Sequence, residues 1–389
     1  MALLKDIADI QTGPFGSQLH KEDYVLVGTP IVTVEHLGNR VFAEQNLPRV
    51  SDEDKERLSK YVLQEGDIVF SRVGSVDRCS YVDEKHDGWM FSGRCLRVRP
   101  NENVDSEFLY YFFTTEDTKQ LIRNIAVGAT MPSINTKILS DIKVQFPDID
   151  EQKKIANILS GIDDKIEINN QINRNLQEQA QSIFEEELLK FDDVPEGWKQ
   201  GSLLDIADYL NGLAMQKFRP TEDEEGLPVL KIKELRQGSC DTNSELCSPN
   251  IKPEYIIHDG DVIFSWSGSL LVDFWCGGEC GLNQHLFKVT SNKYDKWFYY
   301  VWTLYHLDRF IAVAADKATT MGHIKREELA KAEVLIPTKA DYERIGDTLE
   351  PIYNMIISNR VANRKLAVLR DELLSKLMSG EIDVSEVEL

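Results

Sequence analysis

The stretch GDIVFSRVGS at residues 66–75 decides the architecture, because it returns as GDVIFSWSGS at residues 260–269. Outward from it, LKDIADIQTG at residues 4–13 returns as LLDIADYLNG at residues 203–212. Further matches follow in the same order along both halves: Tyr110-Tyr111 with Tyr299-Tyr300, Ala129-Thr130-Met131 with Thr319-Thr320-Met321, and Phe146-Pro147 with Ile336-Pro337. Ordered recurrence indicates an internal repeat, so one scaffold is present twice.

The offset between the two copies shrinks along the chain. Leu4 aligns with Leu203, Gly66 with Gly260 and Phe146 with Ile336, which are offsets of 199, 194 and 190 residues. The changes fall within residues 38–61 and 76–94, which are polar, Gly-rich and charged. Loops of different length on a constant frame indicate two recognition surfaces, because recognition usually resides in loops.

Each copy begins with a compact mixed α/β domain. Short β-type runs bounded by Gly, Pro, Asn and Asp predict strands at residues 30–34, 67–71, 95–98 and 142–146, and again at 228–232, 261–265, 286–289 and 332–336. Aromatic, periodic segments predict a buried helix at residues 106–114 and 296–305.

Each domain is followed by a long amphipathic helix with a narrow apolar seam. The predicted seam residues are Ile155, Ile162, Ile166, Asn169, Ile172 and Leu176 in the first helix and Ile352, Ile356, Asn359, Leu366, Leu369 and Leu373 in the second. Forty residues make a rod of roughly 60 Å, which needs a partner to cover its seam. We expect the two helices to cover each other, with Asn169 and Asn359 fixing register. The alternative is two unrelated surface helices, each on its own domain.

These patterns predict an α+β chain in which two similar mixed domains are separated by two long helices forming an antiparallel coiled coil. The expected boundaries are a first domain at 1–150, a helix at 151–192, a second domain at 193–340, and a helix with a C-terminal tail at 341–389. A closed arrangement of equivalent halves is pseudo-twofold symmetric. A protein with this symmetry matches B-DNA when its two mixed domains lie about one helical turn, roughly 34 Å, or a small multiple of it apart. We therefore expect a bipartite DNA target with an unread spacer.

Composition narrows the class of protein. With 42% hydrophobic and 28% charged residues over 389 positions, the chain is globular. It shows no bilayer-spanning apolar run and no signal peptide, and its six scattered cysteines suit a reducing compartment, so we expect a cytoplasmic protein without a membrane partner.

Cys276, Cys280 and His285 are weighed as zinc ligands, but cysteines without a special role are commoner and no metal is expected. The formal charge of −21 argues against unaided gripping of a phosphate backbone.

The ordered motifs resemble the specificity subunit of a type I restriction–modification system over essentially the whole chain. Beyond the stretches quoted above, the resemblance rests on IDEQKKIANILSGIDDKI at 149–166, ATMPSINTKIL at 129–139 with TTMGHIKREEL at 319–329, LNQHLFKV at 282–289, and VPEGWKQGSLLDIADYLNG at 194–212. One departure is that the first half lacks the Pro-x-Gly-Trp segment that opens the second half at 195–198.

The resemblance implies two target-recognition domains, each reading one half of a split double-stranded DNA sequence, and helices that act as a ruler. It also implies that two modification subunits, adenine methyltransferases that use S-adenosylmethionine, dock on the helices. Two restriction subunits, motor-nucleases that use ATP and magnesium, can then join the complex. The specificity subunit itself is not the catalyst and binds no cofactor.

The residues agree with a non-catalytic role. The sequence contains no Asn-Pro-Pro-Tyr-like tetrapeptide for a flipped adenine, no Gly-rich dinucleotide fingerprint and no phosphate-binding P-loop. Pro147-Asp148 followed by Glu151-Gln152-Lys153 superficially suggests a nuclease metal site. These residues lie where a strand passes into a helix, however, and Asp148 or Asp150 as a helix cap with Glu151 in the first turn explains the acids.

Candidate DNA contacts lie where the frame is kept and the side chains differ. Arg72 becomes Trp266, Arg94 becomes His285 and Ser133 becomes His323, which changes the donors offered to base edges. The expected contacts are Arg72, Arg78, Arg94, Arg97 and Lys137 in the first domain and Trp266, His285, Lys288, Lys317, His323, Lys325 and Arg326 in the second. Lys217, Arg219, Lys231 and Lys233 form a further basic group, for which a solvated face is an equal alternative.

Two other functions stay open. A related modification-only or phage-defence system could use the same recognition subunit. A non-DNA adaptor with two ligand-binding heads on a coiled coil belongs to a different class, and the acidic charge is its best support. A stand-alone enzyme lacks any nucleophile–base or metal constellation at usable spacing.

Overall fold

The computed structural model describes residues 2–191, 193–316 and 324–387. The chain divides into two compact units. Unit 1 is Met1–Asp164 together with Ala367–Leu389, and unit 2 is Lys165–Leu366. Each unit therefore contains part of both long helices.

Unit 1 combines three small sheets with helices. Its strands are β1 (Ala2–Leu3), β2 (Ala8–Thr12), β3 (Thr29–Val32), β4 (Arg49–Val50), β5 (Ile68–Ser71), β6 (Cys79–Tyr81), β7 (Met90–Phe91), β8 (Cys95–Pro100) and β9 (Lys143–Val144). Its helices are α1 (Leu4–Ile7), α2 (Asp52–Arg57), α3 (Ser106–Thr114), α4 (Glu116–Ile125), α5 (Thr136–Ser140) and the start of α6 (Ile149–Phe184). One antiparallel sheet has the order β2-β8-β5-β6, and a second has the order β4-β3-β7 with β3 and β7 parallel. The third is the antiparallel pair of β1 and β9.

Unit 2 repeats this topology. Its strands are β10 (Lys199–Ser202), β11 (Asp208–Asn211), β12 (Leu227–Leu230), β13 (Leu246–Cys247), β14 (Ile256–Ile257), β15 (Val262–Ser265), β16 (Leu271–Phe274), β17 (Cys280–Leu282), β18 (Leu286–Thr290) and β19 (Glu333–Ile336). Its helices are α7 (Leu203–Ile206), α8 (Ile232–Gln237), α9 (Lys296–Tyr305), α10 (Leu307–Asp316), α11 (Arg326–Ala330) and the start of α12 (Lys339–Met378). The order β11-β18-β15-β16 matches the first sheet of unit 1, and β12 pairs with β17 in parallel as β3 does with β7. The predicted repeat of a mixed domain is confirmed.

The aromatic helices α3 and α9 pack into the two cores at the predicted positions. Asp105 caps α3 by accepting a hydrogen bond from the Phe108 amide at 2.9 Å, which satisfies a free amide of the first turn. Phe113 then meets Phe70 of β5 edge-to-face, with ring centroids 4.8 Å apart. In α9, Trp297, Phe298 and Val301 are buried in the unit 2 core. Burial of each such side chain contributes about 1.5–3 kcal/mol.

Helices α6 and α12 contact each other in both units and run antiparallel. In unit 1, Arg370 donates to Asp163 at 2.7 Å. In unit 2, Asn169 donates to Asn363 at 2.7 Å and Asn359 donates to Asn173 at 2.9 Å. Numbers rise on one helix as they fall on the other, so the predicted antiparallel pairing is confirmed. Because Asn169 aligns with Asn359 and Asn173 with Asn363, these contacts are reciprocal, as a local twofold axis requires.

The predicted seam residues differ in how far the structure buries them. Ile155, Ile356 and Asn169 are buried, and a further set is half-buried: Ile162, Ile166, Leu176, Ile352, Asn359, Leu366 and Leu373. Ile172 and Leu369 are instead 40% and 45% exposed. The interface continues from Asn169 to Asn173, a step of four residues that keeps one helix face, and not to Ile172.

No helix within the described residues is long and apolar enough to cross a membrane.

Candidate nucleic-acid interface

In unit 1, three loops meet where β5 ends and β8 begins. The Arg72 amide donates to the Arg94 carbonyl at 2.8 Å, and the Arg72 carbonyl accepts from the Ile134 amide at 3.0 Å. The Gly74 amide donates to the Pro132 carbonyl at 2.9 Å. Backbone bonds therefore join the loops after β5, before β8 and before α5, and the positive φ of Gly74 (77°) suits a tight turn there.

Several predicted contacts lie on or beside this loop cluster. The Arg72 side chain donates to the Gly93 carbonyl at 3.2 Å, and its guanidinium lies 5.9 Å from the ring centroid of Phe15. Arg94 and Lys137 are exposed. Arg78 is an exposed residue whose guanidinium bonds to the Leu37 carbonyl. Arg72, Arg94 and Lys137 are thus donors that a nucleic acid could reach.

Arg97 is the prediction that the structure does not support. It is only 4% exposed, and its guanidinium forms an ion pair with Asp9. Burial, together with the neighbouring Arg99, lowers the pKa of Arg97. In β8, Leu96 and Val98 are buried as well as Arg97, so the usual alternation of buried and exposed side chains fails there. We assign Arg97 a structural role.

Unit 2 repeats the loop frame with different side chains. The Trp266 amide donates to the His285 carbonyl at 3.4 Å, and its carbonyl accepts from the Ile324 amide at 3.0 Å. The Trp266 indole donates to Asn211 at 3.0 Å and stacks on Phe287 with centroids 5.5 Å apart. His285 Nδ1 lies 3.0 Å from the Ser267 hydroxyl. The frame is common to both units, whereas an Arg–Arg pair in one becomes a Trp–His pair in the other.

The remaining predicted contacts in unit 2 fall into three groups. Lys217, Lys325 and Arg326 are exposed. Arg219 and Lys231 form ion pairs with Glu245, Lys233 pairs with Asp241, and Lys288 pairs with Asp261, so part of the basic group is neutralised within the domain. Lys317 and His323 lie outside the described residues.

Sequence reasoning missed two residues at these loop clusters. Phe15 is 56% exposed beside Arg72, and Asn211 holds the Trp266 indole. Both lie in or just after the first-sheet strands β2 and β11, next to the repeated Gly13 and Gly212. A Cβ at either glycine would clash with backbone of the neighbouring loop at 2.2 Å, so the two glycines are signals that could have directed attention to these positions.

Metal ligation receives no support from the described residues. No group of three or more His, Cys, Asp or Glu side chains there is arranged to hold an ion. Cys276 and Cys280 are buried, and burial raises the pKa of Cys276 to about 11 and also raises that of Cys280. A thiol that is neutral at physiological pH is a poor metal ligand unless the metal displaces its proton.

Comparison with known proteins places the chain in a family. The model of the "Type I restriction modification DNA specificity domain" matches residues 2–178 and again residues 195–366. The MjaIX specificity subunit of Methanocaldococcus jannaschii is 23% identical, over 99% of this chain and 93% of that protein. The EcoKI specificity subunit of Escherichia coli K12 is 24% identical, over 93% and 83%.

A solved structure shares the fold. The crystal structure of the S subunit of a type I restriction–modification system from M. genitalium aligns with a TM-score of 0.60 at 16% identity, over 97% of this chain and 95% of that one. The duplicated family match, in the same two halves that the loop frames occupy, shows that the chain belongs to the type I restriction–modification DNA specificity domain family.

Proposed function

We propose that this chain is the DNA sequence-specificity subunit of a type I restriction–modification system and acts in the cytoplasm. Its two recognition domains each read one half of a bipartite double-stranded target. The observation that carries the proposal is the loop frame that joins Arg72 to Arg94 in unit 1 and Trp266 to His285 in unit 2. One frame with two sets of side chains suits two different half-sites.

The two loop clusters differ in the chemistry that they offer to bases. Arg72 and Arg94 present guanidinium groups, and Arg paired with guanine O6 and N7 is the commonest specific contact in the major groove. Trp266 and His285 present a ring face and an imidazole, which suit apolar or single hydrogen-bond contacts. We therefore propose a half-site for unit 1 that contains guanine and a different half-site for unit 2.

Exposed apolar side chains on the long helices support docking of partner subunits. Ile168 and Ile172 lie one turn apart on α6 in unit 2 and are 48% and 40% exposed, while the amides of Asn169 and Asn173 lie inward. On α12 in unit 1, Val368 and Leu369 are 55% and 45% exposed. An apolar helix face accepts another helix readily. We propose that two methyltransferase subunits dock on these helices, and that restriction subunits can join the complex.

The chemistry belongs to the partners in this proposal. The methyltransferase subunits use S-adenosylmethionine, the restriction subunits use ATP and magnesium, and this chain binds no cofactor. The antiparallel contacts of α6 and α12 support a further part of the proposal, that the helices set the length of the unread spacer.

The decisive experiment is a genome-wide map of methylated adenines in cells with and without the gene for this chain. We expect adenines within one bipartite motif to lose methylation completely when the gene is deleted and to regain it on complementation. An unchanged map would overturn the proposal. Transformation with an unmethylated plasmid that carries the motif then separates a restricting system, which lowers transformation, from a modification-only system, which does not.

A further inference from the structure

In unit 2, two arginines of α12 reach the loops of the recognition domain. Arg364 makes a bidentate ion pair with Asp259, with both N–O distances at 2.8 Å, and also donates to the Cys276 carbonyl at 2.7 Å. One turn earlier, Arg360 donates to Asp273 at 2.6 Å. Two charge-assisted contacts therefore join one face of α12 to residues 259–276.

The Asp259 carboxylate also organises the loop itself. It accepts the Gly278 amide at 2.9 Å, and Gly278 has a φ of +90°, which favours glycine. A Cβ at Gly278 would lie 3.2 Å from an Arg364 nitrogen. Burial opposes ionisation of Asp259, yet Arg364 and the Gly278 amide hold the pKa of that carboxyl below its ordinary value. The loop is thus shaped to fit the guanidinium.

In unit 1, the charges of the ion pairs between the recognition domain and the long helix are reversed. The recognition domain supplies the guanidinium of Arg40, which binds Asp164 of α6 and Glu107 of α3. The adjacent Asp163 accepts from the Tyr111 hydroxyl at 2.7 Å and from Arg370 of α12 at 2.7 Å. Here the long helix α6 supplies carboxylates, whereas in unit 2 the long helix supplies arginines.

The repeat does not explain these ion pairs. At the offset of 190 residues that aligns Phe146 with Ile336, Asp164 corresponds to Asn354, Arg360 to Asn170 and Arg364 to Arg174. Arg174 is 59% exposed and pairs only with Glu167 of its own helix among the contacts of the described residues. Each domain therefore has its own set of charged contacts, which the shared scaffold does not supply.

We propose that Arg360 and Arg364 in unit 2, and Arg40 with Asp164 in unit 1, are positioning residues that fix the orientation of each recognition domain on its long helix and thereby restrict the accepted spacer length. This inference rests on the proposed function. Apolar packing alone is non-directional and tolerates small rotations, whereas a bidentate ion pair has a fixed geometry. One base pair of spacer corresponds to a rise of about 3.4 Å and a twist of about 35°. To distinguish spacers that differ by one base pair, the displacement and rotation of each recognition domain must be smaller than these values.

The test is the spacer profile of the complex with its methyltransferase partner. Plasmids would carry the mapped target with its natural spacer or with one or two base pairs added or removed, and methylation would be measured in cells. We expect Arg364→Ala to methylate the natural target within about threefold of wild type and to raise methylation of the ±1 targets at least tenfold. Arg174→Ala, at the equivalent position of the repeat, should keep the wild-type profile. An unchanged profile for Arg364→Ala would overturn the proposal.

A second measurement does not depend on DNA and detects misfolding. Hydrogen exchange of the full chain should show faster exchange within residues 258–279 in Arg364→Ala than in Arg174→Ala, with the unit 2 core protected in both. The conservative variant Arg364→Lys keeps the charge but not the bidentate geometry, and it should recover only part of the protection and of the narrow spacer profile. Unchanged exchange in residues 258–279 would contradict the positioning role. A wild-type complex that methylates no bipartite motif would contradict the proposed function instead.

Discussion

At the residue scale, Arg72 combines a fixed backbone with an accessible charged group. Its amide and carbonyl bond to two neighbouring loops, while its guanidinium donates to the Gly93 carbonyl and lies over the Phe15 ring. The side chain can therefore be removed without breaking the loop frame. The charged group of Arg97 in β8 is not accessible in this way, because it is buried and forms an ion pair with Asp9.

We expect Arg72→Ala to reduce methylation at targets that carry the first half-site and to leave complex assembly intact. Loss of a base contact costs about 1–3 kcal/mol, or roughly 5- to 150-fold in binding. Methylation rates of the purified complex on targets altered in one half-site at a time would measure the effect. Arg57→Ala is a matched control, because Arg57 is exposed and pairs with Asp54 of its own helix. Equal loss of assembly and recognition would show that Arg72 is structural.

A buried histidine gives unit 2 a predictable pH dependence. His306 is 7% exposed, and its Nε2 lies 2.7 Å from the Glu333 carbonyl, which accepts from the neutral ring. Burial lowers the pKa of His306 below the ordinary 6.5, against the opposing effect of that carbonyl. Below pH 6.5, His306 is protonated in the unfolded chain but stays neutral in the folded chain. The free energy of unfolding therefore falls as the pH falls from 6.5 to the pKa of the folded state.

We expect His306→Gln to flatten this decline, at about 1.4 kcal/mol for each unit of the pKa shift. Urea unfolding at pH 7.5 and at pH 5, followed by tryptophan fluorescence, would measure it. The signal reports mainly unit 2, because of the six tryptophans only Trp89 lies in unit 1. His20→Gln, at an exposed position, is the control. The same slope in His306→Gln and wild type would contradict the prediction.

At the element scale, the α6–α12 pair has a polar layer in place of a continuous apolar seam. Asn173 donates to the Ile356 carbonyl at 3.4 Å and accepts from Asn359 at 2.9 Å. Asn363 donates to the Ile166 carbonyl at 3.3 Å and to Asn170 at 2.9 Å. Buried amides that are paired with each other favour one register of the helices at some cost in stability.

We expect Asn173→Leu to destabilise the chain by about 1–3 kcal/mol, because it leaves the half-buried Asn359 amide without its partner. The double variant Asn173→Leu, Asn359→Leu should recover most of that loss, since both polar groups are then removed. Urea denaturation of the four members of the cycle would measure the coupling, with the exposed Asn175→Leu as control. Additive effects of the two substitutions would contradict the pairing.

At the scale of the whole molecule, the charge of −21 is the dominant feature. Affinity for duplex DNA depends on cations that displace counterions from phosphates, and several candidate cations, such as Arg219 and Lys288, are already paired with carboxylates. The exposed candidates are too few to balance a charge of −21; they are Arg78, Arg94, Lys137, Lys217, Lys325 and Arg326. The chain should therefore depend on partner subunits for its grip on DNA.

We expect the purified chain alone to enrich no sequence from a random duplex pool at physiological salt, and to enrich one bipartite motif once its methyltransferase partner is added. Sequencing of the bound fraction would measure this. A pool bound at 20 mM salt is the control for residual electrostatic binding. Tight, specific binding by the chain alone would contradict the argument from charge, and no enrichment in either case would favour the non-DNA adaptor.

The sequence by itself determined the duplication, the mixed domains, the two long helices and their antiparallel pairing, because repeats and apolar periodicity are local signals. The tertiary structure decided which side chains face outward. It buried Arg97 and exposed Arg94, exchanged Ile172 for Asn173 in the helix interface, and joined Asp259 to Arg364 across more than a hundred residues. Periodicity assigns a residue to a face of its own element, but the partner that covers that face comes from a distant part of the chain. Only the folded chain brings such partners within hydrogen-bond distance.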